Sequence, residues 1–500
     1  MLKKRVRRRN FAWNPRILPY LGDCADRNEI ASPITAISSS FGILWLDCSR
    51  EVYAVATARY LERTPKSRAL YERARESLPG GNTRLTTFYS PYPSYVRRAQ
   101  GCRLYDVDGN VLVDFLNNYT SLILGHAPPP VVEAIKEQLE TGIVYGAPCE
   151  NEFRLAEMVK ERFPSIDKLR YANSGTEATM NAIRAARAYT GREKIAKFEG
   201  GYHGTHDWAA ISVHPPEEKA GAAERPVAIP DAPGLPEGAL RTVLVMPYNK
   251  PEAVEQIVKE YKDDLAAIIV EPIMGSSGMI PARSDFLKFL REITDLYNIV
   301  LIFDEVIAGF RVSRGGGQEY FRVRPDMTTL GKILGGGFAI GAFGGREDIM
   351  SLFDPTKGPV IPHAGTFNGH PITLAAGIAT LRELTPSMYE RLSSLGQRAR
   401  TGITKALHDK GVGAQVTGLA SLFHIHLTPE EIINYRSTLR ENKEAKSLLF
   451  TELLVRGQYL ASRGMGCISS PMSESEVDSL IEAVSEAAEN LKPVVGVAQK

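Results

Sequence analysis

The sequence is poor in the features that would assign it quickly. Its five cysteines, Cys24, Cys48, Cys102, Cys149 and Cys467, form no CxxC pair. An odd number at wide spacing argues against a disulfide framework and a structural zinc site, and suits a reducing compartment. No stretch approaches ~20 uninterrupted apolar residues, so no membrane span is expected. HExxH is absent, and His424 and His426 in SLFHIHL read as one face of a strand rather than metal ligands. No GxxxxGK precedes Lys332, and Ile333 follows it, which excludes a P-loop there. Acids are missing from residues 1–22, which hold seven Lys and Arg. Taking those seven from the 60 basic residues leaves 53 against 58 acidic, so the rest of the chain carries −5. A mildly acidic body disfavours nucleic-acid binding, which needs a clustered positive surface.

What is present is a soluble globular composition over 500 residues, 43% hydrophobic and 24% charged, enough for two or three domains. Residues 1–55 read as a basic, poorly structured extension in front of an enzyme that begins near Val52 or Val55. An Arg-rich transit peptide and a short nucleic-acid tail are the alternatives; no continuous apolar core follows to make a signal peptide. A cytoplasmic location is expected, with organellar import as the minor alternative. Residues 56–120 are expected to start a smaller domain, 121–375 to form the large one, and 376–500 to complete the small one.

The middle of the chain alternates apolar strands with amphipathic helices. DKLRYAN, EKIAKFEG, TVLVMPYN, LAAIIVEP and IVLIFDEV are strands; TEATMNAIRAARAYTG and DFLKFLREITDLYN are helices. Continuous apolar strand cores require cover on both faces, so the fold class is α/β: a large, mainly parallel sheet with a smaller α/β domain. Ligands of such sheets sit at the carboxyl ends of the strands. Asn173–Thr176, Glu199–Gly204, Glu271, Asp304–Glu305 and Lys332 all fall there or on nearby turns. Between Val213 and Leu240 lies a loop with six prolines, either a lid or a disordered insertion.

Each candidate has a plain structural alternative when taken alone. Ser174 with Glu177 can be a capping box, or a helix start that binds phosphate. Asp304 can be a helix cap or a buried ion pair, or it can ligate a metal, pair with a base or hold a protonated ring nitrogen. Lys332 can be solvated, or a nucleophile. Together, a phosphate cup, an aromatic (Tyr202), an acid on a strand end and a lysine on a turn meet the needs of pyridoxal phosphate.

NSGTEA, FEGGYHG, IFDEV, LGKILGGG and AGTFNGHP, in this order, resemble the class III aminotransferases of fold type I; the resemblance runs from about Leu78 to Leu491. It implies pyridoxal 5'-phosphate joined to Lys332, with Asp304 on the pyridinium nitrogen. It implies phosphate contacts from Gly175 and Thr176, stacking by Tyr202, and further cofactor contacts from Ser174, His203 and Glu271. It implies a homodimer with shared active sites, in which Thr366 reaches the neighbouring subunit's phosphate. Within the family the chain is similar to glutamate-1-semialdehyde aminomutases and to aminotransferases of β-amino acids. GGNTR stands where the aminomutase reads GGVNSPVR, Ser276 where it has Asn, and AGTFNGHP where it has AGTLSGNP. These departures favour transfer from a β-amino acid to pyruvate or 2-oxoglutarate, with the aminomutase as the alternative. Arg84 is the expected carboxylate ligand and Arg463 a second candidate. A non-catalytic regulator is a remote alternative, because residues 1–50 are too short and broken for a DNA-binding module and every catalytic position is filled.

Overall fold

The apolar runs become the strands of one seven-stranded sheet: β1 (Lys168–Ala172), β2 (Lys194–Phe198), β3 (Val243–Met246), β4 (Leu265–Val270), β5 (Val300–Asp304), β6 (Met327–Gly331) and β7 (Gly341–Gly345). Their order across the sheet is β1-β7-β6-β5-β4-β2-β3. β7 runs antiparallel to both β1 and β6; the remaining neighbours are parallel. The computed structural model describes residues 40–495 of the chain.

The continuous hydrophobicity of these strands has a direct cause. In β4, Ala267 and Ile269 face one apolar cluster, while Ile268 and Val270 face another on the opposite side. All six β4 residues are buried, and each large side chain gains about 1.5–3 kcal/mol by leaving water. Helix Gly175–Thr190 lays Ala178, Ala182, Ile183 and Ala186 on one face and ends where Gly191 turns left-handed at φ +68°. Helix Ser284–Tyr297 lays Phe286, Leu287, Leu290 and Ile293 on the other.

Two small sheets join distant parts of the chain. Strands Val96–Gln100, Arg103–Asp106 and Val111–Asp114 form a meander, completed by Gln458–Tyr459 running parallel to the last of them. Gln415–Thr417, Leu422–His426 and Met465–Cys467 form the other. The hairpin residue Asp108 reaches back to cap helix Pro65–Ala74, accepting from the Lys66 and Ser67 amides at 2.6 and 3.0 Å.

Strand Val111–Asp114 runs into an unusual segment. Asn117, Asn118, Tyr119 and Thr120 all have positive φ, from +47° to +71°, making one left-handed turn. The left-handed conformation costs about 1–2 kcal/mol per residue; Asn tolerates it, Tyr and Thr do not.

Three expectations need correction. The 213–240 segment is neither a free lid nor a disordered insertion. It carries a small hairpin, Gly221–Ala222 with Arg225–Pro226, and is clamped to the body. Arg436 donates to the Gly221 and Ala220 carbonyls while paired with Glu199, and Tyr435 donates to the Pro215 carbonyl at 2.9 Å. Second, a helix spans Ser40–Arg63 and so begins inside the expected extension; residues 1–39, with the basic cluster, lie outside the described residues. Third, β6 was not expected as a strand. Among the described residues no helix is long and apolar enough to cross a membrane.

Candidate active site

A cavity of about 310 Å³ opens at the carboxyl ends of the large sheet's strands. Ser174, Gly175, Thr176, Tyr202, His203, Glu271, Asp304 and Lys332 all line it. Eight of the eleven candidate residues are thus brought to one place by five separate segments.

The helix start after β1 forms one wall. Ser174 caps it, its hydroxyl accepting from the Glu177 amide at 3.2 Å. The reciprocal half of the expected capping box is displaced: the Glu177 carboxylate accepts from Asn173, not Ser174, at 2.8 Å. The first-turn amides of Gly175 and Thr176 therefore stay outside the helical ladder and free for an anion. Two glycines let backbone crowd this wall. A Cβ on Gly204, at φ +101°, would meet Thr176 within 2.6–2.9 Å, and one on Gly341 would overlap the Ser174 carbonyl.

The floor is a buried polar network at the ends of β4 and β5. Asp304 Oδ2 meets His203 Nδ1 at 2.8 Å, and Oδ1 accepts from Thr329 Oγ1 at 3.0 Å and the Val306 amide at 3.1 Å. Burial pushes the His203 imidazole below its usual range, against the pull of Asp304. Glu271 accepts two backbone amides, Tyr202 at 2.9 Å and Gly275 at 3.0 Å. Burial, and then the charge of Asp304, pushes the Glu271 carboxyl up to about 8.

Lys332 follows β6 directly, at φ +50° in a short 3₁₀ turn. Burial pushes its amine down to about 8, although Asp304 and Glu271 pull it up. Among the described residues the amine makes no hydrogen bond. At about 8 a far larger fraction of the amine is neutral near pH 7 than in an ordinary lysine, and that neutral form is a nucleophile and a proton carrier.

Three candidates do not line this cavity. Thr366 is exposed on the loop that precedes helix Pro371–Glu383. Arg84 is exposed and donates to Asn118 Oδ1 at 2.8 Å. Arg463 contacts His214 at 2.7 Å. Two further contributors carry little signal in the sequence. Thr329 orients Asp304 from β6, a strand hidden by its two threonines. Lys197 looks like a surface residue of β2 but is fully buried, donating to the Ala209 carbonyl at 3.1 Å and to that of Ile211. It thereby anchors the segment that carries His203. Burial, opposed by Asp231 and Glu271, brings its ammonium down to about 7. The Gly-Tyr-His-Gly run was its only nearby signal.

The fold and this cavity define a fold type I enzyme, of a kind that uses pyridoxal phosphate. Residues 87–465 match the aminotransferase class-III family, and the chain belongs to that pyridoxal-phosphate-dependent family. It is 42% identical over 429 residues to the glutamate-1-semialdehyde 2,1-aminomutase of Methanocaldococcus jannaschii, covering 85% of this chain and 99% of that protein. It is 45% identical to an omega-transaminase from Sphaerobacter thermophilus, with a TM-score of 0.82 over 85% of this chain and 98% of that one. A β-phenylalanine aminotransferase from Variovorax paradoxus is 35% identical, with a TM-score of 0.80 over 88% and 97% of the two chains.

Proposed function

We propose that this enzyme moves an amino group on a carboxylate-bearing amino acid, with Lys332 and Asp304 as its catalytic residues and Arg84 as the carboxylate ligand. Bound pyridoxal phosphate would supply an aldehyde that captures the amine and a protonated ring that takes up the charge left by a departing proton. Lys332 would hold the cofactor's aldehyde and, when its amine is free, would move a proton to or from the substrate carbon. Its depressed basicity lets it act in both directions near neutral pH. Asp304, oriented by Thr329, the Val306 amide and His203, would face the cofactor's ring nitrogen. Ser174, Gly175 and Thr176 would hold the phosphate, and Tyr202 would lie along the ring. Glu271 holds the Tyr202 and Gly275 amides and so fixes the floor.

The substrate reading that similarity supports better is 2,1-amino transfer within glutamate-1-semialdehyde. The observation that carries it is the 42% identity to an aminomutase over 99% of that protein's length. Transfer from a β-amino acid to a separate oxo acid, which the motifs favoured, is the second reading. It draws on GGNTR, Ser276 and AGTFNGHP, and on the similarity to the two transaminase structures. One experiment separates them. Holoenzyme is given glutamate-1-semialdehyde with no amino acceptor, and 5-amino-4-oxopentanoate is measured. Sustained formation supports the aminomutase. Turnover only of β-phenylalanine, with pyruvate or 2-oxoglutarate consumed, supports the transaminase instead.

A homodimer with shared sites belongs to the same reading. Thr366 lies on an exposed loop beside Phe367, which is 55% exposed, as expected of residues that serve a partner's phosphate site. Sedimentation of the holoenzyme as a monomer would overturn it.

A further inference from the structure

The left-handed turn Asn117–Thr120 is an energetic oddity that the reaction scheme above does not use. Strain of this kind persists only where the surroundings fix it, and it clusters at functional sites. Here the fixing is extensive. Asp114 Oδ1 accepts from the Leu116 and Asn117 amides, each at 2.9 Å. Asn117 Nδ2 donates to the Cys467 carbonyl at 3.0 Å. Arg311, fully buried, donates to the Thr120 carbonyl at 2.6 Å and to that of Ile468 at 2.9 Å. A buried guanidinium is thus committed to backbone oxygens at the end of this turn.

What the turn presents is two adjacent side chains aimed at one segment. Asn118 Oδ1 accepts from Arg84, and the Tyr119 hydroxyl donates to the Thr86 carbonyl. Tyr119 also packs against the apolar cluster shared by Ile307, which lines the cavity. Among the described residues neither Arg84 nor Arg463 has an acidic partner. Both place positive charge on the surroundings of Tyr119. Arg84 is therefore held by a neutral oxygen that fixes its direction and leaves its charge unspent.

We propose that the left-handed turn aims Arg84 at the substrate carboxylate, with Asn118 as the positioning residue. The inference rests on the proposed role of Arg84 as carboxylate ligand. It explains why a strained turn is kept: right-handed backbone at 117–120 would turn Asn118 and Tyr119 away from the Arg84–Thr87 segment. A neutral amide is the right partner, because a carboxylate there would compete with the substrate for the guanidinium.

The test uses single-turnover titration of holoenzyme, read by loss of the bound cofactor's absorbance. The probes are β-phenylalanine and 4,5-diaminopentanoate; the series uses whichever reacts with the native enzyme. Arg84→Ala is expected to weaken binding on the order of fiftyfold while the limiting rate changes little. Unchanged binding in that variant would sink the carboxylate role itself. Given that loss, Asn118→Gly is decisive, since glycine keeps the left-handed backbone and removes only the side-chain oxygen. It is expected to weaken binding about fivefold. The double variant should bind no worse than Arg84→Ala alone, because both changes remove one interaction. Asn118→Asp keeps the shape and the backbone tolerance, yet should bind more weakly than Asn118→Gly. Native affinity in Asn118→Gly or Asn118→Asp, or additive losses in the double variant, would overturn the inference while leaving Arg84 in its role.

Discussion

The cavity cluster Glu271, Asp304, His203 and Lys332 and the cluster Glu441, His424, His426 and Lys446 beside strand Leu422–His426 contain almost the same side chains, and both are largely buried. Their connections differ. Glu441 takes His426 Nδ1 on one oxygen at 2.6 Å and Lys446 on the other. The His424 and His426 rings stack with centroids 4.4 Å apart, and His426 Nε2 also meets Thr417 Oγ1 at 2.9 Å and the Gly278 carbonyl at 3.1 Å. Burial works against the Glu441 charge, but His426 and Lys446 together hold its carboxyl below the usual range. In the cavity cluster Glu271 accepts only amides, so its carboxyl rises instead, and Lys332 is left without a hydrogen bond. Similar residues therefore make a closed ion pair in one place and an unspent amine in the other. The contrast lies in whether the lysine and the acid touch, on top of the burial that each cluster shares.

The largest test of this contrast is Lys332→Ala. Turnover should fall by at least about 10⁴-fold, with folding stability unchanged or improved, because a buried amine without a partner is removed. A large loss of thermal stability would mean that the cavity lysine is structural after all. Next comes Asp304→Asn, which keeps hydrogen-bonding shape but removes charge. The expected loss in kcat is about 10²–10³-fold, measured with saturating cofactor. Third, Glu441→Gln leaves the Lys446 charge without its partner. It should cost about 3–5 kcal/mol in urea unfolding while kcat/KM stays within twofold of native. A catalytic loss without a stability loss would break the distinction between the two clusters. The smallest effect is a pH dependence. With the Lys332 amine depressed to about 8, the reactive neutral form grows as pH rises through that value. The rate at which apoenzyme takes up pyridoxal phosphate should rise severalfold between pH 7 and 9 and then level off. A rate still climbing steeply above pH 10 would show an ordinary, solvated lysine.

Much of the seven-stranded sheet was legible because burial on both faces writes itself into the sequence. LAAIIV and VLIFD leave no other reading. β6, MTTLG, was not legible, since its threonines are buried as hydrogen-bonding groups: Thr328 meets Ser165 and Thr329 meets Asp304. The reversed direction of β7 was not legible either, because the path of the connecting chain decides it. The cavity residues could be placed at strand ends, and their motifs named them. Their mutual orientation could not be read, since His203 and Asp304 are far apart in sequence. The left-handed turn was hidden for a different reason. Asn-Asn permits positive φ, but Tyr119 and Thr120 argue against it, and only Arg311 and Asp114 overrule them.

The pairing of Val113 with Gln458 has a consequence in time. A ribosome adds about 5–20 residues per second, so the meander Val96–Asp114 waits tens of seconds for the strand that covers its open edge. The large sheet's strands all emerge before that strand does. The Phe115 carbonyl, which accepts from Cys467, and the Thr120 carbonyl, held with Ile468 by Arg311, wait still longer. The floor that carries Lys332 can therefore be laid before the turn that grips Arg84 is locked. A circular permutant that makes residues 450–470 early would reverse that order of birth.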